Sequence, residues 1–236
     1  MNPYQKLQQR KRTWTPVQTT AGTVRDGSQE TIYRALAMRH MELPVGSFIQ
    51  DALSEIPSLS ADLLRSNVKD EENHDLALGY IANALGVDET AEAEAKRLRD
   101  AWEAHPDHTV LKALVAERAI FFVLLPFFRF NGDGGLRTVS ADISRDEQVH
   151  VAANSLVCKE MGLEISPSLD KLRKATINWV MSPLKASTNK YLDKRFWLDA
   201  SDRLMYEGKA PELIETKRAR MISFFEHANV NLPQYG

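Results

Sequence analysis

Apolar residues recur at steps of three and four along most of this chain, and no stretch alternates with the two-residue period of a strand. That pattern predicts helices over about residues 28–56, 60–85, 88–104, 107–130 and 136–162, with two or three more between 167 and 228. Ser28 stands where the first helix needs an N-cap, and Gly86 where the second should end. Pro44 and Gly46 are expected to kink the first helix, since proline removes a backbone donor and crowds the preceding turn. Pro57-Ser58, His105-Pro106 and the run Asn131-Gly-Asp-Gly-Gly135 mark the turns. The 88–104 segment is strongly charged with few large apolar residues, so a solvated crossover helix is expected there. Residues 1–27 show no sustained period and carry Pro3, Pro16, Gly22 and Gly27, which reads as an extended arm. Residues 229–236 read as a flexible tail, and the whole of 1–236 as one all-α domain.

Composition narrows the function classes. The charge is nearly balanced, with 30 basic and 32 acidic side chains, so neither nucleic acid nor an anionic membrane is an expected partner. The cluster Lys6, Arg10, Lys11 and Arg12 is read as a solvated part of the arm. A lone cysteine, Cys158, rules out an internal disulfide framework and suits a reducing cytoplasm. No signal-peptide core opens the chain, and the most apolar stretch, 119–128, is too short to span a bilayer.

The chemistry lies where charge interrupts the apolar stripes. Glu42 breaks the stripe Ala35, Met38, Val45, Ile49, Leu53, and Glu117 breaks Val110, Leu114, Phe121, Leu124, Phe128. Two Glu-x-x-His pairs, Glu71/His74 and Glu147/His150, lie in the second and fourth core helices. A buried lone carboxylate costs several kcal/mol, so each of these acids needs a cation or a hydrogen-bonding partner. Their levels agree: Glu42 and Glu71 are nearly equidistant from the Ile56-Pro57 turn. Glu117 and Glu147 flank the glycine turn with offsets that differ by roughly 4–5 Å along the axis. Glu30, Asp51 and Glu55 are nearby, yet none shares both stripe and level. The order Glu, Glu-x-x-His, Glu, Glu-x-x-His is that of four-helix bundles holding two iron or manganese ions. Carboxylates with only two imidazoles favour those metals over zinc–thiolate chemistry. Reduced metals of this kind activate dioxygen, and an apolar lining such as Phe121, which is also an ordinary core residue, would shield the oxidant. His40, His105, His108 and His227 lie outside the pattern and are read as surface residues.

At the fourth helix the chain reads Ile143-Ser-Arg-Asp-Glu-Gln-Val-His150, shortly after Gly135-Leu136. This resembles the metal-binding helix of the small, radical-generating subunit of class I ribonucleotide reductase. Ala116-Glu-Arg-Ala-Ile-Phe-Phe122 is similar in style, and Thr13-Trp-Thr-Pro16 looks like the family's tryptophan-containing amino-terminal stretch. The likeness covers about residues 13–162 and is strongest at the fourth helix. It implies a ferritin-like four-helix bundle with a crossover helix and additional carboxyl-terminal helices. It also implies Glu42, Glu71, His74, Glu117, Glu147 and His150 as ligands of an Fe/Fe, Mn/Fe or Mn/Mn pair. Asp146 would orient His74 and link it to Trp14, the exit for an electron hole. The implied partners are dioxygen, a second copy in a homodimer and a large catalytic subunit, which the tail would anchor. Tyr235 is the candidate relay within that tail, with plain anchoring as its other reading.

Two departures from the family bear on the reaction. Leu78 occupies the place of the usual radical tyrosine, and Tyr80, two residues on, is rotated about 200° around the helix. The chain is also short for the family. Its compact crossover and ligand spacings look equally like the aldehyde-deformylating oxygenases, which share Arg-Asp-Glu-x-x-His. A di-iron oxygenase or aldehyde-deformylating enzyme acting on a small apolar substrate is therefore the alternative, and metal storage a third, non-catalytic reading.

Overall fold

A computed structural model describes residues 1–18, 22–132 and 134–213. Among these the chain is all-α, and its only β features are two isolated bridges, Val24 with Gly132 and Lys185 with Asp193. The bundle is made by α2 (Gln29–Ala37) continuing into α3 (Glu42–Ala52), α4 (Ala61–Leu85), α6 (Thr109–Ala116) continuing into α7 (Phe122–Asn131), and α8 (Gly135–Met161). Helices α3 and α4, α3 and α6, α4 and α8, and α7 and α8 pack as neighbours, which encloses one apolar core. α5 (Glu89–Glu103) crosses between α4 and α6, while α9 (Pro167–Met181) and α10 (Lys194–Glu207) pack on the outside.

Two of the four core helices are not regular. The first is broken by a 3-10 turn over Met38–Met41, ahead of Pro44 rather than at it. Pro44 sits in the first turn of α3, where its missing N–H is one that would have no intrahelical acceptor. The helix then runs through Gly46 without interruption. The third contains a π turn over Glu117–Phe121 that the apolar period did not announce. Helix α10 braces this turn: Ser201 donates its hydroxyl to the Ala119 carbonyl at 2.7 Å, and Arg118 donates to the Leu204 carbonyl, also at 2.7 Å.

Two further expectations need correction. The arm is not wholly extended, because α1 (Pro3–Gln8) forms within it and packs across α4 and α8. Pro3 opens the helix, and Asn2 and Gln5 close a reciprocal capping box that a search for apolar periodicity passes over. Nor is the crossover solvated on every side. Trp102 is fully buried and donates its indole N–H to Thr176, fixing α5 to α9. The glycine turn behaves as expected, since a Cβ on Gly132 would come within 2.6 Å of the Leu136 side chain. No helix among the described residues is long and apolar enough to cross a membrane.

Candidate metal centre

Regular helical geometry supplies half of the centre. On α4 the three-residue step turns Glu71 and His74 inward together, and on α8 it does the same for Glu147 and His150. Glu42 enters at the start of α3, just after the 3-10 turn, and Glu117 at the start of the π turn. All six residues are buried, none more than 1% exposed. His74 Nδ1 lies 3.3 Å from Glu71 Oε2, 3.4 Å from Glu147 Oε1 and 3.6 Å from Glu42 Oε2. His150 Nδ1 lies 2.9 Å from Glu71 Oε1, 3.7 Å from Glu117 Oε1 and 3.8 Å from Glu147 Oε2. Glu71 and Glu147 thus turn one oxygen to each histidine, as bridging carboxylates do. Glu42 and Glu117 stand at opposite ends.

The outward nitrogens of both imidazoles are held by aspartates, each preceding a Glu-x-x-His pair on the opposite helix. His74 Nε2 lies 3.2 Å from Asp146 Oδ2, and the same oxygen accepts the Trp14 indole N–H at 2.6 Å. The Trp14 and His74 rings stack 6.2 Å apart. His150 Nε2 lies 2.9 Å from Asp70 Oδ2, which in turn meets Lys11 Nζ at 2.5 Å. A carboxylate there holds the proton on Nε2 and leaves the Nδ1 lone pair facing inward, as a metal ligand requires. Sequence reasoning overlooked Asp70, although Asp-Glu-x-x-His occurs twice and was itself the signal. It also misread Lys11. The ammonium is largely buried and donates to Ser66 Oγ and Asn67 Oδ1 as well as pairing with Asp70, so all three of its donors are used. Asn154, which donates to Glu117 Oε2 at 2.7 Å, was missed as well.

The donor set fits a metal. Both oxygens of Glu42, Glu71 and Glu147, Glu117 Oε1 and both Nδ1 atoms are buried without a hydrogen-bond partner. Buried polar atoms are nearly always satisfied, so a convergent group of orphans marks a place for a ligand. Two overlapping sets, Glu42-Glu71-His74-Glu147 and Glu71-Glu117-His150, each bring their ligand atoms within 4.8 Å of one another. Each can hold a metal ion. Electrostatics agree: burial pushes the Glu42 and Glu117 carboxyls well above the ordinary range. Burial pulls both imidazoles down, but the surrounding carboxylates outweigh it and hold each well above its usual value. Burial likewise raises Glu71, yet the two histidines draw it far down. Four carboxylates balance two divalent cations with neutral imidazoles, which removes this conflict.

Leu78 is buried in the core, and Tyr80 is half-buried further along α4. Phe121 is buried at the end of the π turn. His40 pairs with Glu92 beside Arg39, His108 caps α6, and His105 closes α5, all away from the six ligands. Tyr235, His227 and the 229–236 tail lie outside the described residues. A largely apolar cavity of about 750 Å³ opens between α7, α8 and the end of α10. Its lining includes Arg118 and Gln148, the neighbours of Glu117 and Glu147, but none of the six ligands. No protein-family model, curated protein or solved structure matches this chain.

Proposed function

We propose that this chain is the small subunit of a class I ribonucleotide reductase, working with a large catalytic subunit and as a homodimer. The observation that carries the reading is the hydrogen-bonded run from the half-buried Trp14 indole through Asp146 to His74. A storage or structural site has no need of an aromatic side chain coupled to a ligand. With iron or manganese bound, as Fe/Fe, Mn/Fe or Mn/Mn, the centre supplies dioxygen activation and a one-electron oxidant. Glu71 and Glu147 hold the two positions together, and Glu42 and Glu117 close the ends. Asp146 fixes the His74 ring and carries the link to Trp14, an oxidisable side chain hydrogen-bonded to it. Leu78 cannot be oxidised as a phenol can, so a bound metal pair, with mixed Mn/Fe the best candidate, would itself have to hold the oxidising equivalent. Paramagnetic resonance of the activated protein should give a metal-centred signal and no tyrosyl signal.

Trp14→Phe should keep its full metal content and lose nucleotide reduction when assayed with a class I large subunit. Undiminished reduction in that variant contradicts the reading. The apolar cavity beside α8 favours a second reading, an oxygenase or aldehyde-deformylating enzyme for a small apolar substrate. Turnover of a medium-chain aldehyde by wild type, with no reductase activity, would decide for it.

A further inference from the structure

The two halves of the centre share a plan but differ in what stands behind each ligand. Behind His74, Asp146 is held by a neutral donor, the Trp14 indole N–H at 2.6 Å. Behind His150, Asp70 is held by a cation, the Lys11 ammonium at 2.5 Å, and imidazole and ammonium compete for the same Oδ2. A carboxylate makes a histidine a stronger ligand by lending it charge, and a cation on that carboxylate draws the charge away. The end carboxylates differ in the same sense. Both Glu42 oxygens are unpartnered, whereas Asn154 occupies Glu117 Oε2 and leaves one oxygen for a metal.

We infer that the amino-terminal arm makes the two metal positions unequal. The position beside His74 binds a divalent cation more tightly than the one beside His150, and Lys11 is the positioning residue that sets the gap. Lys11 suits that role because it is anchored. Its three donors are spent on Ser66, Asn67 and Asp70, so the charge cannot swing out to water. Trp14 and Lys11 lie three residues apart on one strand of chain, so the arm touches both histidine supports at once. The inference rests on the dinuclear-centre reading and adds an order of filling to it.

Crystals of the full chain grown with one equivalent of Mn(II) test it by anomalous diffraction. The expected result is a single manganese peak beside His74, with the second position filling only at higher Mn(II). A peak beside His150, or two equal peaks, overturns the inference while leaving the dinuclear centre intact. No manganese at either position overturns the centre itself. Binding isotherms then isolate the lysine. Lys11→Gln should narrow the ratio of the two dissociation constants by about tenfold, and Lys11→Arg should preserve it. An unchanged ratio in Lys11→Gln removes Lys11 from the explanation. Asn154→Leu approaches the same question from the other helix and does not depend on the arm folding. It frees the second Glu117 oxygen and should tighten only the weaker step, and a loosened weaker step would contradict the account.

Discussion

The helices that carry Glu-x-x-His and those that carry a single glutamate solve the same problem differently. Helices α4 and α8 run unbroken for 25 and 27 residues, and each delivers two ligands from mid-span. The other two are interrupted where their ligand enters, by a 3-10 turn before Glu42 and a π turn beginning at Glu117. Two ligands three residues apart share a face of any regular helix, so their aim needs nothing beyond the period. A lone ligand must be aimed by the backbone around it. Irregularity and single-ligand duty therefore coincide, and short π segments inside α-helices often mark such places.

The sharpest way to break this comparison is to remove a lone ligand. Glu117→Ala should lose at least one metal per chain, because it reduces the set Glu71-Glu117-His150 to one shared carboxylate and one imidazole. Elemental analysis giving full occupancy would refute the ligand assignment and the purpose given to the π turn.

A smaller effect is expected from the brace on that turn. Ser201 is fully buried, donates to the Ala119 carbonyl and accepts from Arg173 at 2.7 Å. Ser201→Ala leaves both partners short of a hydrogen bond and should cost about 1–3 kcal/mol, measured by urea unfolding. If the turn needs its brace, the variant should also bind the second metal more weakly. Unaltered stability and metal binding would mean that the π turn is held by the helix alone.

The smallest effect compares glycines in the two kinds of helix. Gly79 lies within the straight α4, where an added Cβ meets nothing within 4 Å. Gly79→Ala should stabilise by roughly 0.5–1 kcal/mol through the unfolded chain, read as a raised melting temperature. Gly46 lies in α3, where a Cβ would sit 3.5 Å from Glu71 Cβ and Cγ. That is ordinary contact, so Gly46→Ala should gain a similar amount without displacing Glu71. Loss of metal from Gly46→Ala, with none from Gly79→Ala, would show that α3 and α4 tolerate no added methyl beside the ligand.

The same contrast governs how much was legible in the sequence. The all-α bundle, its turns and the convergence of the six side chains follow from a period of 3.6 and from matched distances to the turns. The π turn does not, because one extra residue shifts the stripe too little to disturb residues apolar on every side, as 119–128 are. Lys11 was illegible for another reason. Its partners lie more than fifty positions away, and a cation on a short basic arm looks solvated until that distance closes. Trp102 misled through composition, since a single large residue among charges is buried and ties α5 to α9 through its indole N–H. Asp70 could have been found, because the aspartate repeats wherever the Glu-x-x-His pair does.

With metal bound, six polar side chains sealed in an apolar interior would also tie the lifetime of this protein to its metal supply. A ligand that binds only the folded chain, present at a thousand times its dissociation constant, adds about 4 kcal/mol of stability. Whole domains have only about 5–15 kcal/mol. A cell short of the metal that fills this centre would hold a larger unfolded fraction of this chain and lose more of it to proteases. Abundance would then follow metal supply without any dedicated sensor, since the carboxylates that would hold the ions are also what the empty interior tolerates least.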